Sequence, residues 1–223
     1  MGTMTTHSEP SARAAVPDGT GGFRGRLLDA LAAAITEDGY RKTTVAGIVR
    51  RARTSRRTFY EHFSGKEACY AALLADANAA MIRQISAAVD PRAAWDVQVR
   101  QAVAAWIAAA ESSPALTVSW IRDLPSLGAA ARGLQRDMTN QFITMIQTLC
   151  DTEELRAAGI RPVSRELAIV LLGGLRELMA MTVEDGGSIG DVAEQAEQAS
   201  IALLGPHWLN WTGPSAAGGE FTR

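Results

Sequence analysis

The sequence has few of the residues that build metal centres and disulfide frameworks. Its two cysteines are Cys69 and Cys150, and its three histidines are His7, His62 and His207. Zinc ligands come at short, regular spacings that these five residues lack, and two distant cysteines in apolar surroundings make no disulfide framework. We therefore expect no metal, no cofactor and the reducing conditions of a cytoplasmic protein.

Other absences argue against a membrane protein and against an enzyme. No apolar run reaches the ~18 residues needed to span a bilayer, so no membrane partner is expected. No glycine-rich phosphate loop follows a strand pattern, and no serine or cysteine stands in a recognisable arrangement with a histidine and an acid. The chain is not predicted to be an enzyme.

Charge is distributed unevenly along the chain. Residues 23–67 carry ten Arg or Lys against five Asp or Glu, whereas residues 68–223 carry eleven against seventeen. The overall charge of −2 therefore combines a basic N-terminal segment with an acidic remainder. Because duplex phosphates attract the former and repel the latter, this distribution favours DNA binding.

The basic segment has the pattern of two short helices joined by a tight turn. Apolar residues recur at i, i+3, i+4 and i+7 through residues 45–52, as on one face of a helix. Ser55 can cap a second helix with its side-chain oxygen. In that second helix only Phe59 and Phe63, spaced i, i+4, form an apolar stripe, so the rest of its surface is predicted to face outward.

The second helix is predicted to be the recognition helix of a helix-turn-helix. A solvated helix with no ligand is the alternative, and the net charge of the segment argues against it. Arg57 and Glu61 lie nearly opposite the apolar stripe. We therefore expect Arg57 to bind a guanine edge, and Glu61 either to accept a hydrogen bond from cytosine or to form an i,i+4 ion pair with Arg57. The residues predicted to contact DNA are Thr43, Thr44, Ser55, Arg56, Arg57, Thr58, Tyr60, Glu61, His62 and Lys66.

This motif resembles the DNA-binding domain of the TetR family of bacterial transcriptional regulators, over about residues 24–75. The matching parts are Thr43-Thr44, residues 45–52, the run from Ser55 to Phe63, and Lys66-Glu67-Ala68. The family pattern has a glycine and then an apolar residue at the turn, where this chain has Arg53 and Thr54. A non-glycine residue in a left-handed turn costs about 1 kcal/mol.

The remainder of the chain predicts helices throughout, and no segment alternates as a strand does. We expect an all-α fold of about nine helices, in which a three-helix DNA-binding domain precedes a helical ligand-binding and dimerisation domain. Ser64 and Glu67 indicate a capping box at the fourth helix, and Pro91 is expected to begin the fifth. The predicted divisions are a disordered arm (1–22), the helix-turn-helix domain (23–67), the second domain (68–208) and a flexible tail (209–223).

The helix predicted between Ser164 and Asp185 is apolar on two sides. One side suits the core of its own domain and the other a second subunit, which would match a palindromic DNA site. A helix that is simply central is the alternative. TetR-like proteins dimerise through their last two long helices, and the small-residue stripe expected in the last helix is Val192, Ala196, Ala199 and Leu203.

The resemblance also implies an inducer cavity, a few hundred Å³ in volume, within the second domain. Its predicted apolar lining is Trp95, Trp106, Trp120, Met138, Phe142 and Met145, with Arg100, Arg122, Asp137 and Gln141 as polar candidates. Ordinary core packing is the alternative use of such aromatic and Met residues.

We therefore expect a homodimeric repressor that binds a palindromic operator in double-stranded DNA and is released by a small hydrophobic ligand. The alternative is a DNA-binding dimer that a protein partner controls, with no small-molecule inducer.

Overall fold

The computed structural model describes residues 22–205, which form ten α-helices, two short 3₁₀ helices and no strand. The α-helices are α1 (Phe23–Asp38), α2 (Val45–Arg51), α3 (Arg56–His62), α4 (Lys66–Ala88), α5 (Trp95–Glu111), α6 (Pro114–Arg122), α7 (Ala129–Cys150), α8 (Glu153–Ala157), α9 (Arg165–Glu184) and α10 (Ala193–Leu204). The 3₁₀ helices are Leu124–Leu127 and Ile189–Val192. The predicted all-α class is confirmed, and the predicted arm up to residue 21 and the predicted tail lie outside the described residues.

Two hydrophobic cores meet along α4. The first joins α1, α2 and α3 to the N-terminal half of α4 through residues such as Leu27, Ile48 and Tyr70. The second gathers the C-terminal half of α4, at Ile85, with α5, α7, α9 and α10. Trp120 of α6 packs against both cores. The three N-terminal helices are therefore fixed to the rest of the molecule through α4 and α6.

The start of α4 differs from the expected capping box. Gly65 occupies the cap position in a fully extended conformation, and no side chain caps the helix. Ser64 stands one residue too early to cap a helix that begins at Lys66, so the predicted pairing of Ser64 with Glu67 is wrong. The predicted cap at Ser55 is confirmed, since its Oγ accepts a hydrogen bond from the N–H of Thr58 at 3.0 Å. Ser164 caps α9 in the same way, through a hydrogen bond from the N–H of Leu167 at 3.1 Å.

The start of α5 is also later than expected, at Trp95 instead of Pro91. Gln98, which is buried, donates its Nε2 to the carbonyl of Pro91 at 3.2 Å and to that of Ala93 at 2.8 Å. A side chain that satisfies loop carbonyls competes with helical backbone bonds. Gln98 thus bonds the loop of residues 91–94 that directly precedes its own helix.

The short helix α8 follows the end of α7 after two residues. Thr152 accepts from the N–H of Leu155 at 3.2 Å, and Glu153 and Glu154 place negative charge in the first turn, where the helix dipole favours it. Leu155 is buried and anchors the turn. One good cap and one buried side chain are enough for a helix of five residues.

The turn between α2 and α3 is a Schellman motif with an arginine where glycine is usual. The N–H of Thr54 bonds the carbonyl of Val49 at 3.0 Å, and the N–H of Arg53 bonds that of Arg50 at 3.3 Å. Arg53 has φ 49°, the one positive φ of a non-glycine residue in the described part of the chain. The turn therefore keeps the hydrogen bonds of the motif but carries the strain of a side chain in the left-handed region.

We predict that Arg53→Gly raises the free energy of unfolding by up to about 1 kcal/mol, because glycine has no Cβ to strain the left-handed turn. The melting temperature should rise by about 2–4 °C. Arg53→Ala is the matched control, because it removes the same charge but keeps the Cβ. Equal stabilisation by both variants, measured in thermal and urea unfolding, would contradict the assignment of strain to the turn.

Candidate DNA-binding surface and body cavities

Helix α3 is held in place by two aromatic side chains on one of its sides. Phe59 is fully buried and Phe63, at the end of the helix, is 6% exposed. The rings of Phe59 and Phe63 lie 5.7 Å apart, and Tyr60 packs edge-on against Phe59. The predicted stripe of the second helix is confirmed, and α3 therefore has one buried side and one open side.

The open side of α3 carries most of the residues predicted to contact DNA. Arg56, Arg57, Tyr60, Glu61 and His62 are exposed. Arg57 donates its Nε to Glu61 Oε1 at 3.1 Å, although its side chain is 89% exposed. An ion pair so open to water is weak, so Arg57 can exchange this partner for another anion at little cost.

The remaining polar groups of α3 hold its first turn. The Oγ atoms of Ser55 and Thr58 lie 3.0 Å apart, and either hydroxyl can donate. Thr58 is half-buried, whereas Ser55 is exposed. The structure thus places Ser55 and Thr58 at the N-terminal end of the open side, next to Arg56.

The two threonines before α2 have different roles. Thr44 caps α2 by accepting from the N–H of Gly47 at 3.1 Å, and its side chain is exposed. Thr43, which we predicted as a second DNA contact, is 5% exposed, and its hydroxyl donates to the carbonyl of Gly39 at 2.9 Å. Thr43 therefore supports the turn between α1 and α2 from inside and is not part of the exposed candidate surface.

Lys66 has internal partners at the base of the helix-turn-helix. Its ammonium donates to the carbonyl of Tyr40 at 3.1 Å and lies 4.3 Å from the centre of the Tyr40 ring. The residue is half-buried. Lys66 therefore joins the start of α4 to the loop before α2 and leaves part of its surface open to solvent.

The cations of the N-terminal segment divide into two groups. Arg51 pairs with Glu37, and Arg24 pairs with Asp76 at 2.8 Å, so these arginines tie α1 to α2 and to α4. Other arginines are exposed and form no ion pair within residues 22–205. Three of them, Arg50, Arg53 and Arg56, lie around the turn between α2 and α3, and Arg26 lies at the start of α1. Positive charge is thus concentrated beside the open side of α3.

The body contains a first cavity of about 100 Å³ that is almost entirely apolar. It lies between α4, α5, α7, α8, α9 and α10. Trp95, Trp106, Phe142 and Met145 line it, and these are four of the six side chains expected to line an inducer cavity. Trp106 is 6% exposed and Phe142 3%, so the aromatic walls also belong to the second core.

A second cavity, of about 200 Å³, lies between α4, α5, α6 and α7. Trp120 and Met138 line it, and Phe142 is a wall of both cavities. The rings of Trp120 and Phe142 are stacked with their centres 6.5 Å apart. The predicted lining residues are therefore divided between two adjoining spaces, each smaller than the roughly 300–1,000 Å³ of a drug-sized ligand site.

None of the four polar residues proposed for the cavity lines either space in the described structure. Arg100 pairs with Asp96 at 2.6 Å on the surface of α5. Arg122 binds two carboxylates of α9, at Glu177 and Glu184, which raise the pKa of the guanidinium. Asp137 is exposed.

The polar residue that sequence reasoning missed is Asn78. It is 4% exposed, lines the second cavity and donates its Nδ2 to Gln141 Oε1 at 2.7 Å. A single Asn in a long apolar helix gives no sequence signal for burial, since Asn is mostly exposed in proteins. Its position becomes evident only when α4 and α7 are packed together.

These features define a helix-turn-helix fixed to an all-α body with internal cavities. Residues 27–73 match the family described as bacterial regulatory proteins, tetR family. No curated protein sequence matches the chain. The matched residues contain α2, α3 and the surface described above.

Similar solved structures extend the likeness over most of the chain. The fatty acid degradation regulator FadR from Bacillus halodurans has a TM-score of 0.72 at 16% identity, covering 84% of this chain and 97% of its own. FadR from Bacillus subtilis, solved in complex with stearoyl-CoA, has a TM-score of 0.70 at 15% identity, covering 82% and 98%. GusR from Salmonella enterica has a TM-score of 0.65 at 17% identity, covering 82% and 95%.

The helix-turn-helix of this chain therefore matches the TetR family over residues 27–73, and the described residues have the same fold as solved TetR-family regulators. Among residues 22–205, no helix combines the length and the apolar character that a membrane span requires.

Proposed function

We propose that the protein is a transcriptional repressor that binds a palindromic operator as a homodimer. The observation that carries this proposal is the open side of α3, where Arg56, Arg57 and Tyr60 face outward from a helix anchored by two buried Phe. In the major groove, Arg57 would bond a guanine edge and Glu61 would hold it or accept from cytosine. The helix starts and flanks, at Thr44 and Lys66 among others, would position the protein on phosphates.

An exposed apolar strip on α9 supports the homodimer. Ile169, Val170 and Met181 are 44%, 61% and 53% exposed, which is unusual for large apolar side chains. Gly173 and Gly174 lie between them with open space above their Cα atoms. A second copy of the same strip can therefore approach closely, as a two-fold interface requires.

The contribution of α10 to this interface is narrower than the sequence indicated. Val192 and Ala196 are buried within their own subunit, at 8% and 0% exposure. Ala199 is exposed. The buried pair serves the second core, so the surface of α10 left for a partner subunit lies around Ala199.

The two cavities support regulation by a small hydrophobic ligand. The first is lined by apolar and aromatic side chains, and a structural neighbour, Bacillus subtilis FadR, was solved with stearoyl-CoA. Because each cavity is small, a ligand of any length must span both of them or displace their walls. Such a displacement of helices would change the distance between the two copies of α3 in the dimer.

A continuous set of contacts links the cavities to the helix-turn-helix. Trp120 of α6 lines the second cavity, and the adjacent Ser119 bonds the hydroxyl of Tyr70 at 2.8 Å. The Tyr70 ring stacks on Tyr40 at 4.1 Å, and Tyr40 in turn meets Lys66. A ligand that moves α6 would therefore shift the support of α2 and α3.

We predict that Arg57→Ala weakens binding to the cognate operator by roughly 1–3 kcal/mol and relaxes base preference at one position. Lys66→Ala is the comparison. It should weaken binding to cognate and random DNA alike, and it should reduce the slope of the logarithm of the binding constant against the logarithm of salt concentration by about one phosphate contact. Fluorescence anisotropy on both duplexes at several salt concentrations measures these effects. If Lys66→Ala changed sequence preference and Arg57→Ala only overall affinity, the recognition surface would be wrongly placed.

We predict that Val170→Glu and Ala199→Glu produce monomers with weakened DNA affinity, because a charge buried at a two-fold interface meets its own copy. Val97→Glu is the control, since Val97 is 39% exposed on α5, outside the proposed interface. Sedimentation at micromolar concentration measures the assembly. A native protein that sediments as a monomer there would rule out the dimer.

We predict that long-chain fatty acids or their CoA thioesters change the tryptophan fluorescence, raise the melting temperature and release operator DNA. Trp106→Phe should weaken their binding and leave DNA binding intact, because Trp106 lines the first cavity and lies far along the chain from α3. Val97→Ala, on the outer side of the same helix, should change neither ligand binding nor DNA binding. If no such compound bound or released DNA, control by a protein partner would replace the ligand in this account.

A further inference from the structure

The turn between α2 and α3 contains a side chain that the hydrogen bonds of the turn do not use. Arg53 has φ 49°, in the left-handed region where an L side chain is strained. Both hydrogen bonds of the turn join backbone atoms, from the N–H of Thr54 to the carbonyl of Val49 and from the N–H of Arg53 to that of Arg50. Glycine would form the same two bonds without the strain.

The described part of the chain also gives Arg53 no electrostatic compensation. Arg53 is exposed and forms no ion pair among residues 22–205. The dipole of α2 favours cations at its C-terminal end, but Arg50 and Arg51 already occupy its last turn, so a third cation adds repulsion between like charges. Strain that the fold itself does not repay is typical of functional positions.

Arg53 lies next to the open side of α3. Ser55 caps α3 two residues later, and Arg56 begins the helix. Three residues of chain span at most about 10 Å, so the Cα atoms of Arg53 and Arg56 lie within that distance. Because this is comparable with the Debye length of about 10 Å at 0.1 M salt, the two cations attract the same anionic surface.

The docking of a helix-turn-helix on DNA places this turn beside a phosphate strand. The N-terminal residues of a recognition helix contact base edges in the major groove, and a sugar–phosphate strand runs along each side of that groove. A turn directly before the helix therefore lies at the edge of the groove and not over the bases. An arginine at that edge meets phosphate oxygens, which its planar guanidinium binds through two parallel hydrogen bonds.

We propose that Arg53 binds a DNA phosphate and that the turn keeps a strained residue for this contact. Arg53 positions α3 in the groove and reads no base. This inference rests on the proposed function as a DNA-binding regulator and adds a contact outside the set that the sequence predicted.

A random-sequence duplex of more than two helical turns tests the contact, because phosphate binding does not depend on sequence. Fluorescence anisotropy with the full-length protein at several salt concentrations measures the binding constant. Arg53→Gly should weaken binding roughly tenfold per subunit near 0.1 M salt, and it should lower the slope of the logarithm of the binding constant against the logarithm of salt concentration by about 0.9 per subunit. Arg53→Lys keeps the charge and should keep most of the affinity and of the slope.

Thermal unfolding of the same variants separates DNA contact from support of the turn. Arg53→Gly should raise the melting temperature by about 2–4 °C although it weakens DNA binding, whereas Arg53→Ala should weaken DNA binding equally without that rise. A residue that served only the structure of the turn would lose stability and DNA affinity together. Arg83→Ala is the matched control, since Arg83 is exposed on α4 and forms no ion pair within residues 22–205, and it should leave affinity and slope unchanged.

The outcomes distinguish this inference from the proposed function. If Arg53→Gly and Arg53→Ala bound the random duplex with the affinity and slope of the native protein, Arg53 would make no phosphate contact, and DNA binding through α3 would stand. Equal losses in Arg53→Ala and Arg83→Ala would also overturn the inference, because net charge alone would then explain both. If the native protein bound neither the random duplex nor any sequence selected from a random pool, both proposals would fail.

Discussion

The packing of Tyr70 between the helix-turn-helix and the body is the interaction on which the rest of this structure depends. Its ring is 1% exposed and stacks on Tyr40, while its hydroxyl reaches across to Ser119 of α6. Burial in this setting raises the pKa of the phenol, so the group stays neutral as a hydrogen-bonding partner. Tyr70 therefore connects the support of α3 to α6, whose Trp120 lines the second cavity.

The DNA-binding surface and much of the fold could be predicted from the sequence because local rules determine them. Ser55 caps the helix that it precedes, and Phe59 and Phe63 are buried as their i, i+4 spacing indicated. The strained turn at Arg53 followed from the absence of glycine there. Caps, spacing and turn chemistry act within a few residues of each other, so they can be recognised before the fold is known.

Other features depend on which side chains the packing of the helices buries, and they could not be predicted. Gln98 bonds the loop before α5, and Thr43 turns inward although its neighbour Thr44 faces solvent. The division of the predicted cavity into two spaces follows from where α7 places Phe142. Composition predicted the apolar character of the lining, but the polar contribution of Asn78 required the packing of α4 on α7.

The distance between the two copies of α3 in the dimer tests the central claim most directly. Burial raises the pKa of the Cys69 thiol to about 12 and that of Cys150 to about 11, so both react slowly and a spin label can be directed to Tyr60→Cys. Pulsed dipolar spectroscopy should give an inter-subunit distance near one DNA repeat, about 34–36 Å between helices, and a different distance once ligand is bound. The absence of an inter-subunit distance, or one that stays the same with a ligand that releases DNA, would contradict this account.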